Sequence, residues 1–95
     1  MTAPHLLVHD HEDNVGVVVV EGLKAGTRML GVVTADNSSF EIEALADIPI
    51  GHKVALKDLK AGDTAIKYGE DIGRFIADVG MGRHVHVHNL KTKRW

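Results

Sequence analysis

The chain has 95 residues, 10.3 kDa and 44% apolar residues, which is enough for one small folded domain covering residues 1–95. Eleven Lys and Arg against thirteen Asp and Glu give a net charge of −2, which argues against nucleic-acid binding through overall charge. The absence of cysteine excludes disulfides and thiolate metal sites. No apolar run approaches the roughly 20 residues of a membrane-spanning helix, and residues 1–4 lack the features of a signal peptide. These features predict a soluble cytoplasmic domain.

The pattern of apolar residues along the chain predicts a mostly β protein. Residues 15–20 are five valines and one glycine, a composition typical of a strand that is buried on both faces. Residues 36–39, of sequence DNSS, indicate a hairpin turn between two alternating segments. The predicted strands cover residues 5–9, 15–20, 29–34, 40–45, 54–56, 64–68 and 84–89.

One short helix is expected at residues 71–79, between Gly69 and Gly80. Its apolar residues recur at helical spacing, as Ile72, Phe75, Ile76 and Val79. A weak internal repeat accompanies these elements, since residues 23–27 (LKAGT) return as residues 59–63 (LKAGD). Each copy precedes a predicted strand. The repeat has two explanations, a fold built from two similar halves or a single type of turn that was used twice.

Seven histidines in 95 residues are several times the ordinary usage, and three of them alternate with valine at residues 84–88. In a strand, His84, His86 and His88 would lie on one face, with Val85 and Val87 on the other. Two histidines at i and i+2 can chelate one metal ion, whereas His84 and His88 would stand about 13 Å apart along an extended strand. The pattern therefore indicates two metal ligands and a neighbour that acts as a base or contacts substrate. A polar strand face without a metal is the other interpretation.

Three further groups of residues are candidates for function. His52 and Lys53 follow a turn at residues 49–51, and the lysine charge would favour a neutral imidazole that can act as a base. Residues 9–11 (HDH) and Asp13 form a second possible metal site near the N-terminus. The basic ending at residues 91–94 suits an anionic substrate or an acidic partner surface.

The order of several short motifs resembles the N-terminal domain of the altronate and galactarate dehydratase family, a SAF-type β-clip domain. The motifs are DNV at residues 13–15, GHKVAL at 51–56, IKYG at 66–69, IG at 72–73 and HVHVHN at 84–89. The resemblance covers nearly the whole chain from Asp13 onward. In the fused members a large catalytic domain follows the final His-Asn pair, whereas this chain stops at Trp95. The resemblance therefore implies a separate large catalytic subunit.

The resemblance also implies a β-elimination from a small anionic 2-hydroxy acid, assisted by a divalent metal that is generally iron(II). Family members release water from sugar acids, and a two-subunit member releases sulfite from 3-sulfolactate and leaves pyruvate. The ending of this chain is more similar to that of the sulfite-releasing member. The expected catalytic residues are His52, His84 and His86, and the expected metal ligands on this chain are His84 and His86. The expected substrate-binding residues are Lys53, Tyr68, His88, Asn89, Lys91 and Arg94.

Three alternatives to a sulfite-releasing subunit remain open on sequence grounds. The chain could be the small subunit of a sugar-acid dehydratase, which differs only in the leaving group. It could be a non-catalytic SAF module that binds a sugar or another anion alone. It could also be a small metal-binding or metal-sensing protein. Much of the metal site could lie on the large subunit in the first two cases.

Overall fold

Nine short strands joined by tight turns make up residues 3–86 and 88–92, the part of the chain that the computed structural model describes, with the side chain of Thr92 excepted. The strands are β1 Leu6–Val8, β2 Val15–Val18, β3 Arg28–Val33, β4 Ser38–Glu43, β5 Lys53–Ala55, β6 Thr64–Lys67, β7 Glu70–Phe75, β8 His84–Val85 and β9 Leu90–Thr92. These residues contain no helix that is long and apolar enough to cross a membrane.

The strands form two sheets. The larger sheet has six strands in the order β4-β3-β1-β2-β5-β8, and the smaller has three in the order β6-β7-β9. All neighbouring strands are antiparallel except β1 and β3, which run parallel. The large sheet therefore places β5 and β8, the strands next to the histidines, at one edge of the molecule.

Two clusters of buried side chains stabilise this arrangement. The first lies on one face of the six-stranded sheet and contains Leu6, Val18 and Val54. The second joins the two sheets, because Val15 and Val85 of the large sheet belong to it together with residues of β6, β7 and β9. Aliphatic side chains dominate both clusters, as expected for a chain with only four aromatic residues.

Most of the predicted strands are confirmed, but two expectations are wrong. Residues 71–79 do not form a helix, because Glu70–Phe75 is strand β7 and pairs with β6 on one side and β9 on the other. Phe75 is buried whereas Ile76 is 55% exposed, so the apolar residues do not share a helical face. A two-turn helix is marginal in water, and the paired strand satisfies the same backbone groups on both edges. The strand expected at 84–89 is also wrong beyond residue 85.

The internal repeat corresponds to two equivalent turns. Gly26 and Gly62 both have φ in the left-handed region, at 93° and 96°, which glycine adopts without a steric penalty. An aspartate carboxylate accepts a hydrogen bond from the preceding amide in each case, Asp47 from Ala25 at 2.8 Å and Asp78 from Ala61 at 2.9 Å. The first residue of each repeat also forms an isolated antiparallel bridge, with Ile48 and Val79 respectively. These equivalences favour a fold built from two similar halves.

Candidate functional site: a histidine cluster at the sheet edge

Three histidines meet at the edge where β5 and β8 pair. In this pair Val54 lies opposite His84 and Lys53 lies opposite Val85, which places His52 opposite His86. Residues that are directly opposite in an antiparallel pair lie on the same face of the sheet. The local pairing thus brings together a residue from the turn before β5 and two from the C-terminal segment.

The three imidazoles are close enough to act on one ligand. His52 Nδ1 lies 2.7 Å from His84 Nε2, and the ring centroids of His52 and His86 are 3.7 Å apart in a stacked arrangement. One nitrogen from each of His52, His84 and His86 can be chosen so that all three lie within 4.8 Å of one another. No other group of three metal-ligating side chains meets this condition among residues 3–86 and 88–92.

The surroundings favour neutral imidazoles. Partial burial lowers the pKa of His84 and of His86, and the positive charges of neighbouring groups lower both further. For His84 these neighbours are the other histidines, and for His86 they include Lys53. A neutral imidazole has a free lone pair, which is the form that binds a metal ion or accepts a proton. The cluster is therefore able to do both near neutral pH.

The segment after β8 turns rather than extending. His88 is exposed, and its ring centroid lies 5.0 Å from that of His84 at an interplanar angle of 43°. The chain turns because the Asn89 side chain accepts a hydrogen bond from the His86 amide and donates one to the His84 carbonyl. His88 therefore lies beside His84 and not far along an extended strand as expected. Val85 is buried as expected, and Val87 lies outside the described residues.

The cluster fits a divalent metal ion. Imidazole nitrogen is a suitable ligand for iron, zinc, copper and nickel, and three such ligands leave coordination positions open for a substrate. The 2.7 Å contact between His52 and His84 requires a proton on one of the two facing nitrogens, and a bound cation would replace that proton. The sequence pattern suggested two ligands from the 84–88 segment, and the fold adds His52 as the third candidate.

The structure places the other predicted substrate-binding residues at different positions. Lys53 is half-buried and follows His52, but it lies on the opposite face of β5, where its pairing partner in β2 is Val17. Burial and the nearby charge of Lys67 lower its pKa. Asn89 is buried and directs its amide to the backbone of the histidine segment. Lys91 is exposed on β9, away from the edge strand, and Arg94 lies outside the described residues.

Tyr68 belongs to a second group of side chains. It occupies the turn between β6 and β7 with φ of 57°, and its ring lies 4.7 Å from that of His9. Lys67 Nζ lies 5.0 Å from the centre of the same ring, a cation–π contact. Among the described residues, no ring contact joins Tyr68 to the histidine cluster.

The predicted metal site near the N-terminus does not assemble. Asp13 is buried, and its carboxylate accepts hydrogen bonds from backbone amides of Tyr68 and Gly69 at 3.0 and 2.8 Å. It also accepts longer ones from residues 9 and 10. His11 instead contacts the exposed Asp36 at 2.8 Å. Asp13 is thus a structural residue that joins the N-terminal loop to the β6–β7 turn.

Sequence reasoning missed two groups that shape the site. The role of Asp13 as an acceptor for backbone amides is not visible in the sequence, because its partners are more than 50 residues away. Lys67 was also missed, since a lysine at the end of a predicted strand is usually a solvated residue. The sequence signals near them were the motifs that carried the family resemblance and, for Asp13, the acidic and histidine-rich segment that was interpreted as a metal site.

Comparison with known proteins identifies the family. The family model described as the altronate/galactarate dehydratase SAF domain matches residues 4–93. The chain is 70% identical over 67 residues to (2R)-sulfolactate sulfo-lyase subunit alpha of Paracoccus pantotrophus, which covers 70% of this chain and all of that protein. It is 52% identical over 89 residues to the protein of the same name from Chromohalobacter salexigens, with 94% and 95% of the two chains covered.

A fused relative matches over a small part of its own length. Altronate dehydratase of Escherichia coli is 41% identical over 80 residues, which is 84% of this chain and 15% of the dehydratase. The mostly β fold agrees with the SAF-type β-clip architecture that the resemblance implied. The chain belongs to the altronate/galactarate dehydratase SAF-domain family.

Proposed function

We propose that this chain is the small subunit of a carbon–sulfur lyase that eliminates sulfite from (2R)-3-sulfolactate and yields pyruvate. The single observation that carries the proposal is its 70% identity to a sulfo-lyase alpha subunit over that relative's full length. The relatives' names also imply a separate partner subunit, and we assign to it the remainder of the active site. We place the complex in the cytoplasm, and the cysteine-free composition is compatible with that location.

The reaction is a β-elimination in which atoms and charge balance. The proton on C2 goes to a base, its electron pair forms the C2–C3 double bond, and the C3–S bond breaks with its electrons leaving on sulfite. The resulting enol of pyruvate takes up a proton at C3 and releases its hydroxyl proton, which gives pyruvate. The main barrier is the weak acidity of the C2 proton, so the site must stabilise negative charge on the carboxylate and accept a proton.

The histidine cluster supports this chemistry. We assign His52, His84 and His86 as ligands of a divalent metal, iron(II) by family resemblance, because their nitrogens converge within 4.8 Å. That metal supplies Lewis-acid stabilisation of the charge that develops on the substrate carboxylate and 2-hydroxyl. His88 is exposed beside His84. Because the other three imidazoles are assigned as metal ligands, we assign His88 as the base that accepts the proton from C2.

The remaining residues assist binding. Lys53 lowers the pKa of His86 through its charge, which means that its positive potential reaches the cluster and favours a dianionic substrate there. Asn89 holds the backbone of the 84–89 segment in the shape that directs the imidazoles toward one another. Tyr68, Lys91 and Arg94 remain predicted substrate-binding residues, and direct contact with the sulfonate is assigned to the partner subunit and to the basic C-terminal segment.

The test is to co-express the chain with its large partner and purify the complex anaerobically with iron(II). Release of sulfite and pyruvate from 3-sulfolactate is then measured, with altronate and galactarate in parallel and each subunit alone as a control. We expect equimolar sulfite and pyruvate from the complex alone. The His86→Asn variant should lose turnover, while the His11→Asn variant, altered at a distant exposed histidine, should retain it.

A sugar-acid dehydratase subunit is the second candidate, supported by the 41% identity to altronate dehydratase over 84% of this chain. Production of a 2-keto acid from altronate or galactarate, without sulfite from sulfolactate, would establish that function instead. Turnover by either subunit alone would contradict the two-subunit proposal. Failure of the two chains to associate would contradict both functions and favour a module that acts alone.

A further inference from the structure

We propose that the outward face of β1 and β2, which carries Leu7, Val17 and Val19, is the surface on which the large partner subunit docks. The docking element is an apolar projection of that subunit flanked by carboxylates. This inference rests on the partner that the proposed function requires, but not on the identity of the substrate. We refer to these three residues below as the β1–β2 patch.

Strand pairing places Leu7 and Val17 in one row across the large sheet, and Val19, just after the end of β2, lines the same cavity. Leu7 lies opposite Val17 in β2 and opposite Val32 in β3, so their side chains share one face. The neighbouring row on the same face, Val15 and Ala55, is fully buried beneath the smaller sheet. The smaller sheet therefore covers only part of this face and leaves the patch open.

The sequence of β2 is that of a strand covered on both sides. An antiparallel sheet with a solvated face alternates apolar and polar residues, whereas residues 15–20 are valine at five of six positions. Yet Val19 is 37% exposed and Leu7 is 36% exposed. The valines on one face of β2 are thus covered by the core of this chain, and those on the other face by a surface that belongs to another polypeptide. Contiguous exposed aliphatic residues of this kind mark interaction sites in soluble proteins.

A polar rim indicates the chemistry of the docking element. The patch forms the floor of a cavity of about 280 Å³, and His9, Thr34, Lys67 and Tyr68 line its side. Among the described residues, Lys67 has no acidic side chain within ion-pair distance. Asp13, the acid that lines the same cavity, is occupied by backbone amides, and Glu70, which pairs opposite Lys67 in β7, forms no ion pair with that lysine. An apolar side chain in the cavity and a carboxylate near Lys67 would therefore complement this surface.

The large subunit is the occupant that the comparisons favour. The relatives named subunit alpha imply a partner subunit, and in altronate dehydratase of Escherichia coli the region that matches this chain is 15% of the protein, so most of that protein lies outside it. The row of the patch continues from Val17 to Lys53 of β5, the residue after His52 of the cluster. A partner docked on the patch would therefore reach the strand that follows His52, on the face opposite to the imidazoles.

A second apolar surface provides a matched control. Leu45 and Met81 are 44% and 48% exposed and line another cavity with Phe40. Among the described residues its rim offers no unpaired cation, because Arg28 forms an ion pair with Glu41 and the remaining charged residue is Glu43. We therefore assign docking to the β1–β2 patch and treat the Leu45–Met81 surface as the comparison for substitutions of the same kind.

The experiment measures the affinity of purified subunits by titration calorimetry or interferometry. The partner is the polypeptide homologous to the part of altronate dehydratase outside this domain. We expect Val19→Glu to weaken binding about 30-fold or more, as for a residue at the centre of an interface. Met81→Glu should change it less than about threefold. Lys67→Glu should weaken binding about tenfold and reduce its salt dependence, while the exposed Lys57→Glu should not. Thermal unfolding of each variant checks that it folds.

Two results would overturn the proposal. The first is wild-type affinity for folded Val19→Glu, or a large loss of affinity for Met81→Glu. The second is self-association of the chain that Val19→Glu abolishes, because a second copy would then cover the patch. A complex that forms through the patch but releases no sulfite would refute the proposed function and leave the docking surface standing. Sulfite release by a complex that Val19→Glu does not weaken would refute the docking surface alone.

Discussion

The Nδ1 atom of His52 lies 2.7 Å from the Nε2 atom of His84, so these two imidazoles share one proton across the β5–β8 edge. The same pairing stacks His86 on His52 at a ring separation of 3.7 Å. Three basic groups are thereby held close together, and among the described residues the converging group consists of imidazoles alone. Protons are disfavoured in such a cluster and a divalent cation is favoured, which leads to two of the predictions below.

The first prediction concerns the pH dependence of stability. The pKa values of His84 and His86 are lowered in the folded state from an ordinary value of 6.5. Below pH 6.5 the unfolded chain binds more protons than the folded one, so the free energy of unfolding should fall as the pH decreases. Above pH 6.5 this contribution is fully present. Urea unfolding of the metal-free chain at pH 7.5, 6.5 and 5.5 measures the effect.

A matched pair of variants assigns this pH effect to the cluster. His84→Gln should show a shallower decline of the free energy of unfolding between pH 7.5 and 5.5. Asn37→Gly, altered in the β3–β4 turn at a side chain that does not titrate, should keep the wild-type slope over the same range. Equal slopes for wild type and His84→Gln would contradict the prediction.

The second prediction concerns metal binding. His86→Ala should strongly reduce the affinity of the complex for iron(II) or zinc, because it removes a metal ligand. Loss of a residue that only hydrogen-bonds to a ligand costs about 10- to 100-fold in affinity, and we expect a larger loss here. Anaerobic titration calorimetry and metal analysis after dialysis measure this loss. His5→Ala should bind as wild type, since its Nδ1 accepts a hydrogen bond from the Leu30 amide far from the cluster. Retained affinity in His86→Ala would place the metal elsewhere.

The third prediction concerns Asn89, whose side chain fixes the turn after β8. Asn89→Asp should lower the free energy of unfolding by about 1–3 kcal/mol, because it replaces the amide donor to the His84 carbonyl with an acceptor. Metal affinity should fall with it, since the turn sets the positions of His84 and His86. Chemical denaturation and metal titration measure the two effects. As a control, Asn37→Gly in the β3–β4 turn should preserve both, because its φ of 60° suits glycine.

The fourth prediction concerns Asp13. Asp13→Ala should destabilise the chain by about 3 kcal/mol or more, because it leaves the amides of Tyr68 and Gly69 without the charged acceptor that they share. Asp36→Ala should have a much smaller effect by comparison, because its carboxylate is exposed to solvent. Urea unfolding of the two variants measures the difference. Similar small losses for both would show that the carboxylate of Asp13 is not the link between the N-terminal loop and the β6–β7 turn.

The fifth prediction concerns the two equivalent turns. Asp47→Ala and Asp78→Ala should each lower the free energy of unfolding by a similar small amount, because each removes one equivalent hydrogen bond to a turn amide. Chemical denaturation measures both losses, and the exposed Glu21→Ala serves as a control. A large loss for one turn and none for the other would argue against equivalent halves.

Sequence periodicity was reliable for the strands and misleading for residues 71–79. The strands at residues 15–20 and 29–34 followed from composition and alternation, because side chains in a strand alternate between faces. Residues 71–79 carry apolar side chains at helical spacing, yet the pairing of β7 with both neighbours decides their conformation. The spacing of apolar residues within a segment contains no information about hydrogen bonds to strands that are distant in sequence.

The sequence by itself determined that this is a small β protein of the dehydratase SAF family and singled out candidate functional histidines at residue 52 and within residues 84–88. Composition, alternation of apolar residues and the order of motifs depend only on the amino-acid sequence, so they do not require the tertiary structure. Only the tertiary structure decided which histidines meet, because β5 and β8 are about 30 residues apart and their register places His52 opposite His86. It also decided that Asp13 binds backbone amides and that one valine face is left uncovered, since both depend on long-range packing.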